Sequence, residues 1–141
     1  MSTEDNKALY RRFVEEVFGK KNVGATDEFI APTCVDHAAP PAFPKGLEGA
    51  KQIQGMYLAA FPDVAVTFED MIAEGDEGDK VMARFAIRGT HKGSFMGIAA
   101  TGKRVTVTGI DIVRVSGGKI VEHWESFDQL DLMQQLDVVP K

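Results

Sequence analysis

The hydrophobic period of this chain switches from helical spacing to two at Phe61-Pro62-Asp63, and that change decides the architecture. Before it, apolar residues recur at helical spacing. Leu9, Phe13, Val14, Val17 and Phe18 form one stripe, with Lys7, Arg11, Arg12 and Glu15 on the other side. Ser2, Thr3, Asp5 and Asn6 offer N-caps, and Gly19 offers a stop. A short helix is predicted around residues 25–30, ended by Pro32. Residues 38–46 carry three prolines and read as loop. Ile53, Met56, Tyr57 and Ala60 predict a helix over residues 47–60, which stops because the residue before a proline avoids helical dihedrals. After Asp63 the period is two. Val64, Val66 and Phe68 open a first strand, and Val81, Ala83, Phe85 and Ile87 define a second beyond a turn at Gly75–Asp79. A long connection over residues 92–103 leads to a third strand from Val105 to Val115. Ser116-Gly117-Gly118 turns into a fourth, residues 118–128, and residues 129–136 read as a short amphipathic helix.

Helices followed by a four-stranded antiparallel meander make an α+β fold, with the helices packed on one face of a curved sheet. The 141 residues fit one domain, 1–141, large enough to bury a real core. One strand has a phase problem. Val105 and Val107 alternate in register with Gly109 and Asp111, whereas Ile110 and Ile112 have the opposite parity. A β-bulge near Gly109 would put all four aliphatic residues on one face, and the resulting bend would help a sheet enclose a cavity.

Composition narrows the function. Net charge is −5, and the basic pairs Arg11-Arg12 and Lys20-Lys21 do not make a block. A nucleic-acid or anionic-membrane surface is therefore not expected, and the implied partner is a small neutral or amphipathic molecule. No apolar run approaches membrane-spanning length, and Met-Ser-Thr-Glu-Asp-Asn lacks the regions of a signal peptide, so the expected compartment is the cytoplasm. The single cysteine, Cys34, excludes an intramolecular disulfide and reads as a small buried packing residue in preference to a nucleophile. Phosphate-cradling glycine motifs and the G-x-S-x-G elbow are absent from the sequence. His37, His91 and His123 sit on separate segments without metal-ligand spacing. An enzyme built on this chain is expected to use side-chain acid/base chemistry with no cofactor and no metal.

The densest cluster of candidates is the last strand. At period two, Ile120, Trp124 and Asp128 share a face, and an acid beside a buried-type aromatic is costly unless solvated, paired or used. Asp128 is thus either an acid/base group or the cap of the segment that follows. His123 has the opposite parity and is expected to face outward. His37 is a pocket-mouth residue or a surface partner of Asp36. His91 is a lining or an exposed loop residue. Arg84 orients a carbonyl or pairs in solvent, and Glu122 faces with Trp124 or satisfies a cross-strand cation. Tyr10 and Tyr57 donate from the helices or pack in the core.

Several segments together resemble the SnoaL-like polyketide cyclase, or ester cyclase, family of the nuclear transport factor 2-like superfamily. They are Phe61-Pro62-Asp63, Gly89-Thr90-His91 with Gly93 and Phe95, Ala100-Thr101-Gly102, residues 118–128, and Asp131-Leu132 through Gln135-Leu136. The resemblance covers nearly the whole chain. It implies a cone-shaped fold, with helices over a strongly curved antiparallel sheet and a deep apolar pocket. Family cyclases close a ring of an aromatic polyketide ester by intramolecular aldol condensation, without cofactor or metal. Their acid/base aspartate lies near the end of the last long strand, which here matches Asp128, and His37 and His91 match family histidines. Trp124, Arg84, Tyr57, Phe61 and Phe95 complete the expected site as substrate-binding residues for a small hydrophobic carbonyl compound. The resemblance also implies a homodimer. A non-catalytic binding or dimerising module, or an isomerase or hydrolase using the same pocket, stays open because one fold hosts many chemistries.

Overall fold

Ser2 starts the first helix, α1 (Thr3–Val14), in this computed structural model, which describes residues 2–74 and 79–139. The Ser2 hydroxyl accepts the Asp5 N–H at 3.0 Å, and the Asp5 carboxylate accepts the Ser2 N–H at 3.1 Å. A π-helical turn, Glu15–Gly19, ends the segment at the expected glycine. The stripe Leu9, Phe13, Val14 and Val17 is buried against Val81, Val113, Val115 and Ile120 of the sheet. A short helix α2 (Thr26–Phe29) follows, and α3 (Gly46–Ala60) ends before Pro62 as expected.

Strands β2 (Ala65–Ala73), β3 (Lys80–Thr90), β4 (Arg104–Ser116) and β5 (Lys119–Phe127) form the antiparallel meander, and α4 (Gln129–Gln135) follows. The turn expected at Gly75–Asp79 falls largely on residues 75–78, outside the described residues. A fifth strand corrects the four-strand expectation: β1 (Ile30–Asp36) pairs in parallel with β5, giving the order β1-β5-β4-β3-β2. Pro32 suggested that regular structure ends there. It is instead tolerated within an edge strand, whose pairing skips between Ile30 and Val35.

The bulge expected at Gly109 is absent, because β3 and β4 pair without a break from Lys80↔Arg114 to Thr90↔Arg104. Val105, Val107, Gly109, Asp111, Val113 and Val115 all face inward, and Ile110 is left outside at 39% exposure. Gly109 is small for a steric reason. It lies in a cross-strand row between Phe85 and Phe127, whose rings stack at 6.4 Å, and a Cβ there would come within 2.7 Å of Phe85 Cζ. The bulge that matters is one strand over. Val115 pairs with Ile120, but Arg114 pairs with Glu122, so β5 gains a residue at Val121. That extra residue reverses the parity downstream: Ile120 faces inward, and so do His123, Glu125 and Phe127. Trp124 and Asp128 move to the opposite phase.

Gly109→Ala should therefore destabilise the protein by about 1–3 kcal/mol in urea unfolding, through overpacking. Adding Phe85→Leu should recover part of that loss. A neutral Gly109→Ala would show that the Phe85–Phe127 pair does not need the gap.

Candidate active site

The helices and the inner sheet face do not meet everywhere, and a pocket of about 470 Å³ lies between them. Its walls are mostly apolar, with Phe13 and Val14 from α1, Ile53 and Tyr57 from α3, and Phe85 and Phe127 from the sheet. One polar cluster interrupts them. Asp111 and Glu125 sit directly opposite each other on β4 and β5, in a row that continues to Ala83. His123 and Asp36 form the next pair along, on β5 and β1. His123 Nδ1 hydrogen-bonds Asp36 Oδ1 at 2.9 Å, and its Nε2 hydrogen-bonds Asp111 Oδ1 at 3.0 Å. From the helical side, the Tyr10 hydroxyl donates to Asp111 Oδ2 at 2.5 Å.

The charges in this cluster are interdependent. Burial works against an imidazolium, yet the hydrogen bonds and charges of Asp111 and Asp36 outweigh it and push His123 up to about 10. Burial alone would raise Asp36 and Asp111, but hydrogen bonding to His123 and its charge hold both below the usual carboxylate range. Burial raises Glu125, and the adjacent Asp111 charge raises it further, to about 9. Near neutrality the Asp111–Glu125 pair thus holds one proton, carried by Glu125, because Asp111 is held low while Glu125 is raised. Burial and the Asp111 charge also keep the Tyr10 phenol protonated. The arrangement presents a carboxylate and a carboxylic acid side by side in an apolar cavity.

Asp111, His123 and Glu125 bring one ligand atom each within 4.8 Å of one another. A metal ion held there would have to displace the His123–Asp111 hydrogen bond, because both imidazole nitrogens are already engaged.

Most of the site residues expected from sequence lie elsewhere. Asp128 is exposed and caps α4, accepting the Asp131 N–H at 3.0 Å, and it borders an outer-face groove with Arg84 and Ser126. Arg84 is held on the outer face by Asp70 and Glu69, at 2.8 Å and 2.5 Å. Trp124 stacks on His37 with ring centroids 5.0 Å apart, and His37 hydrogen-bonds Glu122 at 2.7 Å. All three are outside the pocket lining; the Val121 bulge turns Glu122 and Trp124 outward, and His37, just beyond β1, stacks on that outer side. His91 is fully buried, but its Nδ1 accepts the Thr101 N–H at 3.2 Å, which ties down the connection after β3. Phe61 and Phe95 are buried in the core beside it. Of the expected substrate-binding residues, Tyr57 alone lines the pocket, its phenol pushed up to about 12 by burial and by Glu125. Cys34 also borders the cavity, but burial, then Asp36 and Glu122, push its thiol up to about 11, so it stays protonated.

The expected outward orientation of His123 is likewise corrected, for the same reason of phase. Asp111, Glu125 and Asp36 were missed as site residues. One signal for Asp111 was present: an acid in phase with Val105, Val107, Val113 and Val115.

The sequence pattern described as SnoaL-like polyketide cyclase matches residues 8–136. The chain belongs to the SnoaL-like polyketide cyclase family. Aklanonic acid methyl ester cyclase DnrD of Streptomyces peucetius is 31% identical over 148 residues, covering 96% of this chain and 92% of that protein. Among solved structures, TsrD from Streptomyces laurentii matches with a TM-score of 0.87 at 27% identity, covering 99% of each chain. IdmH from Streptomyces antibioticus matches at 0.75 and 33% identity, covering 98% of this chain and all of the other, at 100%. The nuclear transport factor 2-like α+β fold of this cyclase-family chain is thereby established. Among the described residues, no helix is long and apolar enough to cross a membrane.

The Glu125 proton carries a stability signature. Between the ordinary glutamate value of 4.5 and about 9, the folded protein keeps a proton on Glu125 that the unfolded chain releases, so stability falls as pH rises through that window. Glu125→Gln cannot release a proton. Its melting temperature should match wild type below about pH 4.5 and gain on it progressively toward pH 9. A constant difference across that range would rule out the retained proton.

Proposed function

We propose that this protein is a cyclase that closes a carbon ring on a neutral, hydrophobic polyketide ester, with Asp111 and Glu125 as its acid/base pair. The observation that carries this reading is the cross-strand placement of the two carboxyl groups in an apolar pocket, braced by His123, Asp36 and Tyr10. A carbon flanked by two carbonyls loses a proton to the carboxylate of the pair. The resulting enolate carbon attacks a ketone carbon held beside it, and the new carbon–carbon bond forms as the ketone π bond breaks. The carboxylic acid of the pair protonates the ketone oxygen. One proton enters the pair and one leaves, so the cluster ends with the charge it began with. Apolar walls keep the reacting carbons close and keep water from competing. The name of DnrD, a methyl ester cyclase, supports an ester of this class as substrate.

The first assay is ring closure of aklanonic acid methyl ester. Asp111→Asn and Glu125→Gln should each lower kcat by about 100-fold or more, the usual scale for removing one acid/base partner. Asp128→Asn should stay within about twofold in kcat, because asparagine also caps a helix. Full activity in both pocket variants, or collapse in Asp128→Asn, would overturn this assignment.

We also place a homodimer contact on the outer sheet face. Ile72, Met82, Ile112 and Trp124 form one cross-strand row there, and Ile72 is 57% exposed. Ile72→Lys should shift the protein to a monomer in light scattering. An unchanged mass would exclude this face.

A further inference from the structure

Gln54 is the one pocket-lining amide on α3, and half of it is already committed. Its Oε1 accepts the Thr26 hydroxyl at 2.6 Å, between a glutamine only 6% exposed and a threonine with no exposure. The orientation follows from the hydroxyl. Among the described residues Thr26 Oγ1 has no other hydrogen-bond partner, so turning the amide over would leave a buried O–H with no acceptor. Oε1 therefore faces Thr26 and the NH₂ faces away. That nitrogen has no partner among the described residues, yet it is not among the sealed, unsatisfied polar atoms. An atom neither paired nor sealed has open space beside it, and Gln54 lines the cavity. Ala50, Ile53 and Tyr57, on the same stripe of α3, line the same cavity with apolar surface and one phenol.

We infer that Gln54 determines specificity by donating its amide N–H to an oxygen acceptor on the ligand. It acts from the helical wall, whereas Asp111 and Glu125 act from the sheet wall. A flat apolar ligand could slide along this cavity in several registers. A fixed donor on one wall selects the register in which a ligand carbonyl meets it, and so sets which carbon faces the carboxyl pair. The donor is pre-oriented by Thr26, so binding need not freeze the amide. The nature of the ligand, a carbonyl compound, rests on the cyclase reading; the presence of an open donor does not.

Two probes of nearly the same shape test this, 9-fluorenone, which has a carbonyl oxygen, and fluorene, which has none. Their dissociation constants are measured by fluorescence or calorimetric titration. Wild type should prefer fluorenone. Gln54→Leu combined with Thr26→Val removes the donor without orphaning the hydroxyl. It should weaken fluorenone by about five- to tenfold, the scale of one neutral hydrogen bond, and leave fluorene within about twofold. Gln54→Met combined with Thr26→Val, a second packing of the site without a donor, should lose the fluorenone preference as well. Equal weakening of both probes, or an unchanged preference in either variant, would overturn the inference. Binding is read without turnover, so full activity of Asp111→Asn would sink the proposed chemistry and leave the Gln54 result standing.

Discussion

Two acidic side chains placed opposite each other across β4 and β5 are the constraint on which the rest of the pocket depends. Like charges directly across a sheet repel, and the apolar walls weaken the screening around half-buried Asp111 even though Glu125 keeps access to solvent. The cluster relieves this in two ways. Glu125 keeps its proton, and His123 takes one, bridging Asp111 and Asp36 through its two nitrogens. Each group's charge state is a consequence of the others. Removing Asp36 would weaken the hold on the His123 proton, and a neutral His123 would leave Asp111 as a less supported anion. The Tyr10 hydroxyl closes the network from α1, so the docking of the first helix and the electrostatics of the site are one problem.

This network exists because of one inserted residue. At strict alternation from Ile120, the inward positions of β5 would be 120, 122 and 124, which are an aliphatic, a glutamate and a tryptophan. The bulge at Val121 makes them 120, 123, 125 and 127. Reading the strand by twos from Ile120 therefore chose the wrong face for everything after it, Asp128 included. No local feature of Lys-Ile-Val-Glu-His-Trp marks the slip; it is imposed by pairing with β4 on one side and β1 on the other. β1 was hidden for a related reason. Its partner lies some ninety residues away in sequence, its pairing is parallel, and Pro32 interrupts its pattern. The helices, hairpins and meander order were legible because their signals are local: capping residues, a proline stop, glycine turns and period-two runs.

Of the motifs that carried the family resemblance, residues 118–128 supply pocket residues, and those around Phe61, Thr90 and Gly102 hold the fold in place. Asp63 accepts both the N–H and the hydroxyl of Thr90 at 2.7 Å, and Phe61 lies against Gly89 and His91. The N–H of Gly93 bonds to Ala60 at 3.1 Å, and Gly102 and Lys103 pair with the backbone of His91. These residues lock the end of α3 to the ends of β3 and β4. A pattern made of such contacts transfers the fold with confidence, since a glycine against a ring or an aspartate on a turn leaves few alternatives. It says little about which acid the pocket holds. The chemistry was signalled instead by a conflict: Asp111 in the midst of an apolar, inward-facing row. Sites tend to sit where local preference and burial disagree, and there the disagreement was real. A bulge at Gly109 would turn Asp111 out of that row; the unbroken ladder there keeps it in.

The charge state of the cluster also bears on what can enter. Asp36 and Asp111 are anions, His123 is a cation and Glu125 is neutral, so the cluster carries one net negative charge. No lysine or arginine lines the pocket among the described residues, and its only cation is already shared by two aspartates. A ligand carboxylate would lose its hydration on entry and meet repulsion in place of a partner. An ester of the same skeleton avoids both penalties, and its carbonyl still acidifies the neighbouring carbon. The electrostatics that give the site a base and an acid at the same pH thus also favour a neutral substrate. Acid/base competence and discrimination against charge come from the same four side chains.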